Sequence, residues 1–137
     1  MSALLVRASF VLAFGVGASP AWALPADAYK TTPLRPSYDK CLKASQGVTL
    51  AVNNCIGSEY DFQDKRLNTA YKALRQSMVE TQRVALRDQE RAWIADRDKA
   101  CAPPTDGGTA DMLGANECRL NRTAERAAEL EAQLKHP

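Results

Sequence analysis

Apolar residues recur at helical spacing in three segments of this chain, and nowhere do they alternate as a half-buried strand requires. From Thr49 to about Met78, Ile56, Tyr60, Leu67, Tyr71, Leu74 and Met78 fall within about 40° of one line on a helix. Gly57 interrupts that stripe, and Ser58 followed by Asp61 can cap a fresh start, so the pattern predicts a kink or two helices end to end. Cys55 and Phe62 lie on a different face, which suits a helix contacted from two sides. A tight turn near Val79 to Gln82 leads into a second long helix that ends near Cys101, with Leu86, Trp93 and Arg97 sharing a face. The segment APPTDGGTA, with two prolines and two glycines, breaks that helix. A third helix runs from about Asp111 to Leu134, with Leu113, Leu120, Ala124, Ala127 and Leu134 on one side. A short helical turn, SYDKCLKAS, begins near Ser37 and stops before Gly47. The fold class is all-α: an antiparallel helical hairpin plus a third helix.

The N-terminus speaks to compartment. Arg7 precedes the apolar run ASFVLAFGVGA, and Ala21-Trp22-Ala23 has the small-x-small form of a signal-peptidase site. Residues 1–23 are expected to be a cleaved signal peptide, leaving a periplasmic or secreted chain with no membrane segment of its own. Residues 24–37, LPADAYKTTPLRPS, carry three prolines and no apolar period, and predict a flexible leader. The helical domain then spans 38–134, with a tail at 135–137 that holds the single histidine, His136.

In an exported chain of this size, Cys41, Cys55, Cys101 and Cys118 predict two disulfides. Three connectivities are open, and the nearest-neighbour pairs, Cys41–Cys55 and Cys101–Cys118, are the expectation. No C-x-x-C or cysteine–histidine cluster supports a zinc site, and no cofactor is expected. The start of the first long helix, the end of the second and the start of the third should share one end of the bundle, which then carries both staples. The opposite end, around Met78 to Val84, should be looser.

Arg97 raises a question of charge, because it lies on the stripe that faces the core. In a hairpin turning near residue 80, position 64 comes opposite 97 and position 71 opposite 89. Asp64 is therefore the expected partner of Arg97, with Asn68 or Tyr71 meeting Gln89 and the Trp93 ring. These six residues form an expected structural network, since an unpaired buried guanidinium would cost several kcal/mol.

Formal charge is near balance at +2, which argues against nucleic acid as a partner. One histidine in the tail removes Ser-His-Asp and Cys-His catalysis, and Gly107–Gly108 lacks the lysine of a phosphate loop. Asp96 and Asp98 point in different directions on a helix and make a poor glycosidase couple. The chain therefore reads as a binding protein and not an enzyme. The candidate contact residues are Pro103, Pro104, Asp106, Gly107 and Gly108, in the irregular segment tied by cysteines at both sides.

Three motifs carry a resemblance. Asp64-x-x-Leu67-Asn68-x-x-Tyr71-x-x-Leu74 comes first, and Gln89, Trp93, Arg97-Asp98 and Cys101 follow. Cys118, Thr123, Arg126 and Leu130 complete the set. In this order they resemble the lysozyme inhibitor LprI-like N-terminal domain family over about residues 38–134. The resemblance implies a small exported helical domain of the bacterial envelope, with a protein partner that is a lysozyme or another wall-degrading enzyme. The chain lacks the lipidated cysteine of the member that named the family, and the acidic surplus suited to a basic target. The alternative is an envelope interaction or stress-related module with no hydrolase target.

Overall fold

A computed structural model describes residues 34–135, which form four helices and no strand: α1 (Pro36–Ala44), α2 (Thr49–Ser77), α3 (Glu80–Ala100) and α4 (Thr109–Lys135). The expected signal peptide, leader residues 24–33, His136 and Pro137 lie outside the described residues. The end of the expected leader is not loose. Leu34 packs on the core, Arg35 is bonded to Glu59, and Pro36 opens α1, where its fixed φ suits the first turn and its missing N–H costs nothing. Helix α1 ends in a tight reversal in which Gln46 (φ 49°) and Gly47 (φ 76°) both adopt left-handed backbone.

Helix α2 runs unbroken for 29 residues through Gly57 and Ser58, so the expected second start does not form. Cys55, Ile56 and Glu59, all buried, flank the glycine, and their packing outweighs a propensity penalty of about 1 kcal/mol. Two extended residues, Met78 and Val79, connect α2 to α3. The Gln82 side chain accepts the Val79 N–H at 3.1 Å, and Arg83 Nε donates to the Arg75 carbonyl at 2.9 Å, tying the turn.

The α2–α3 hairpin exists, with Arg97 meeting Tyr60 at one end and Arg83 meeting Arg75 at the other. Its partners are nonetheless not the closest pair. Helix α4 packs far more intimately on α2, and it does so in parallel. Asn116 bonds Asn53 and Arg66 bonds Glu131, at sequence separations of 63 and 65 that stay nearly constant along the pair. Small residues allow the approach: Ala70 on α2, and Ala115, Ala124 and Ala127 on α4, are all buried. Helix α3 presents Leu86, Glu90, Trp93 and Arg97 inward, and long side chains hold it further off.

Two apolar clusters result. Tyr38, Cys55, Ile56 and Leu120 fill the stapled end, while Leu67, Ala70, Leu74, Leu86, Ala127 and Leu130 fill the far end. Between them on α2 come Glu59 and Gln63, and on α4 Thr123, each at most 1% exposed. The core is thus divided by a polar layer. Both nearest-neighbour disulfides are formed, with Cα separations of 5.7 Å for Cys41–Cys55 and 5.5 Å for Cys101–Cys118. The first pins α1 to α2, and the second closes the loop between α3 and α4.

Candidate functional site

The polar layer is built around Glu59. Its carboxylate accepts the Arg35 backbone N–H at 3.0 Å, Arg35 Nε at 2.7 Å and Gln63 Nε2 at 2.7 Å. Burial alone would raise the pKa of this carboxyl, but the Arg35 N–H, the Gln63 amide and the Arg35 guanidinium outweigh it and hold the pKa below the ordinary range. Arg66 continues the chain, donating to Gln63 Oε1 and, with Nε and Nη2, to Glu131 on α4. The Arg35 guanidinium also lies 3.9 Å from the Phe62 ring centroid. Nearby, the enclosed Tyr38 hydroxyl has no hydrogen-bond partner among the described residues. Burial, then the Glu117, Glu59 and Asp39 carboxylates, push its pKa up.

A second network joins α3 to α4. Arg126 donates to Glu90 across the interface and to Glu129 on its own helix. Burial disfavours the Arg126 charge, and the two carboxylates overcome that and hold its pKa above the usual value. Further along, Arg122 pairs with Asp96 at 2.8 Å. A groove of about 180 Å³ here is lined by Trp93, Asp96, Arg122, Glu125, Arg126 and Glu129. Most of its charges are already spent on one another.

The six residues expected to form a network do not form one. Arg97 is largely withdrawn, as its stripe position requires, but Asp98 neutralises it at 2.8 Å and Asp64 does not. Arg97 lies at the margin of the core, where its guanidinium reaches the half-exposed carboxylate of its neighbour. Its Nη1 donates to the Tyr60 hydroxyl at 3.3 Å, and its guanidinium stands 5.0 Å from the Trp93 ring. Asp64 instead accepts from Asn68 on its own helix at 2.8 Å, and Asn68 is exposed. Tyr71 packs against the far-end cluster with Arg75 over its ring, and Gln89 is exposed. One residue along a helix is a 100° rotation, so it is Glu90 that follows Leu86 inward.

Of the loop residues, Pro104, Asp106, Gly107 and Gly108 are exposed and Pro103 is half-buried. The loop is ordered by its own bonds: Gly107 N–H donates to the Pro104 carbonyl at 3.0 Å and Gly108 N–H to Asp111 at 2.8 Å. A Cβ at Gly107 would come within 3.0 Å of both that carbonyl and Asp111 Cβ.

A cleft of about 250 Å³ between α2 and α4 was not foreseen. It is lined by Asn53, Ile56, Gly57, Tyr60, Asn116 and Arg119. Gly57 leaves its floor open, since a Cβ there would meet nothing within 4 Å. The available signal was Gly57 itself, an uncompensated gap in an otherwise apolar stripe. Cys55 likewise pointed to Glu59 and Gln63, which follow a disulfide cysteine at helical spacing on its inward face.

Among the described residues no helix is long and apolar enough to cross a membrane, and no group of His, Cys, Asp and Glu could hold a metal ion. Neither a curated protein nor a solved structure matches the chain. A family model described as lysozyme inhibitor LprI matches residues 41–130, from the first cysteine to the last fully buried leucine of α4. That family is one of inhibitor proteins and not of enzymes. The match takes in all four cysteines, both apolar clusters from Cys55 onward and the Glu90–Arg126 tie, and on that ground the chain belongs to the LprI lysozyme inhibitor family.

Proposed function

We propose that the protein is exported and acts as a proteinaceous inhibitor that docks on a lysozyme or another cell-wall hydrolase. The observation that carries this reading is the family match over residues 41–130, which coincides with the stapled part of the structure. Physics supports it from two sides. Two disulfides in so small a bundle suit an oxidising compartment. One holds α1 on α2 and the other closes the α3–α4 loop, so that each segment docks at little cost in ordering entropy. The signal-like residues 1–23 agree with export to the periplasm or medium. Within this reading the loop at Pro103, Pro104, Asp106, Gly107 and Gly108 is one contact region.

The test is a turbidity assay in which purified oxidised protein is mixed with c-type and g-type lysozymes and bacterial cell walls. Slowed lysis by at least one enzyme, saturating near one inhibitor per enzyme, is the expected result. Full lysis by every lysozyme at excess protein overturns the reading.

A further inference from the structure

We infer that the α2–α4 cleft is a receptor for an acidic side chain presented by the protein partner, an inference that rests on the inhibitor reading and names the chemistry of its contact. Asn116 Nδ2 donates to Asn53 Oδ1 at 2.9 Å, which takes one lone pair of that oxygen and leaves both Asn53 amide N–H groups to donate. The Asn116 oxygen already accepts from Arg119 Nη1, at a long 3.3 Å. The Tyr60 hydroxyl accepts from Arg97 Nη1, so its own proton points elsewhere. Arg119 makes no ion pair among the described residues. The unused hydrogens on the lining therefore belong to Asn53, Tyr60 and Arg119, and of these Arg119 carries a full positive charge that no carboxylate among the described residues meets.

A carboxylate is the group that satisfies such a set, because it accepts at two oxygens and brings the opposite charge. The α3–α4 groove, in contrast, contains its own carboxylates and offers no comparable surplus. Ile56 and the bare Gly57 add an apolar part to the lining beside these donors.

The surroundings indicate a protein as the bearer of that carboxylate. Leu50, 71% exposed, stands at helical spacing on the face of α2 that carries Gly57. Met112, 48% exposed, stands likewise on the α4 face of Asn116 and Arg119. The parallel register sets Leu50 and Met112 at the same level, beyond the stapled end of the cleft. Exposed aliphatic side chains beside a donor-rich recess are the composition of a protein contact, with an apolar rest and one anchoring charge.

The experiment uses the full oxidised chain, with ¹⁵N chemical shifts of the Asn53 and Asn116 amides and Arg119 Nε as the readout. The probes are the peptides acetyl-Gly-Glu-Gly-amide and acetyl-Gly-Gln-Gly-amide, and N-acetylmuramic acid. Saturable shifts at the cleft with the Glu peptide, at least tenfold weaker with the Gln peptide, are expected. Arg119→Gln should weaken the Glu response at least tenfold. Gly57→Leu should abolish it while keeping the fold, since a side chain there projects into open space and leucine favours helix. Equal shifts with both peptides, binding of N-acetylmuramic acid alone, or an unaltered response in both variants would overturn the inference. The same variants in the turbidity assay separate the two claims. A wild-type protein that inhibits no lysozyme overturns the inhibitor reading alone if the cleft still takes the Glu peptide. Inhibition that persists unchanged in both variants overturns the cleft as the contact and leaves the inhibitor reading standing.

Discussion

Glu90 of α3 receives the Arg126 guanidinium of α4 with both side chains nearly withdrawn from water, at 9% and 13% exposure. Helix α3 otherwise stands off from its neighbours, and Leu86 is its one buried apolar side chain. This ion pair therefore fixes the position of α3 more than apolar area does. Replacing Glu90 alone leaves a buried guanidinium with Glu129 as its remaining carboxylate, and Glu90→Leu should cost about 3 kcal/mol in urea unfolding. The double variant E90L/R126M removes both charges and should recover most of that loss. A double variant as unstable as the single one would show that the pair contributes more than neutralisation.

The Arg35–Glu59 contact predicts how stability varies with acid. The folded state holds the Glu59 pKa below its ordinary value of 4.5, so the fold favours the ionised form. The resulting stabilisation is complete above that value and is lost as pH falls through the lower folded pKa. Glu59→Gln should lower stability by about 1–3 kcal/mol at neutral pH, because a neutral amide replaces a charge-assisted acceptor. It should also flatten the fall in melting temperature over about pH 5 to 3 relative to the wild type. An identical acid profile in the two proteins would assign the acid sensitivity to other carboxylates.

These two carboxylates mark where sequence reasoning stops. The hairpin was legible but its register was not, because Arg97 meets α2 at Tyr60, one helical turn before the expected Asp64. The nearest-neighbour cysteine pairing, one of three connectivities open to the sequence, is the one that forms. Glu59 and Glu90 were not read as buried, because a carboxylate in an amphipathic pattern is ordinarily assigned to solvent, and for Glu59 only its helical spacing from Cys55 spoke against that. Their burial depends on partners remote in sequence, Arg35 for Glu59 and Arg126 for Glu90. The parallel α2–α4 contact was hidden for a related reason. Alanines score weakly as apolar stripes, yet they decide how closely two helices approach.

The two staples should act alike and independently. They close loops of similar length, at separations of 14 and 17 residues, and join different elements. Cys41→Ser/Cys55→Ser and Cys101→Ser/Cys118→Ser should each lose about 3 kcal/mol by denaturant unfolding, and the quadruple variant about twice that. Strong non-additivity would show that the two bridges constrain one common region of the unfolded chain.

The loop after α3 owes its shape to one position. At Gly107 a side chain would press on the Pro104 carbonyl and on Asp111, which together form the turn that starts α4. The carbonyl is backbone and cannot swing aside, so the turn itself must open. Gly107→Val should cost about 1–3 kcal/mol and accelerate amide exchange at Gly108 and Thr109, where the Asp111 tie would be lost. Asp106→Ala, on an exposed side chain with no bond among the described residues, should stay within about 0.5 kcal/mol of the wild type. That contrast makes the pair a probe of the loop as a contact region. If both variants inhibit a lysozyme as well as the wild type does, the loop is a connector, and docking belongs to the helical faces.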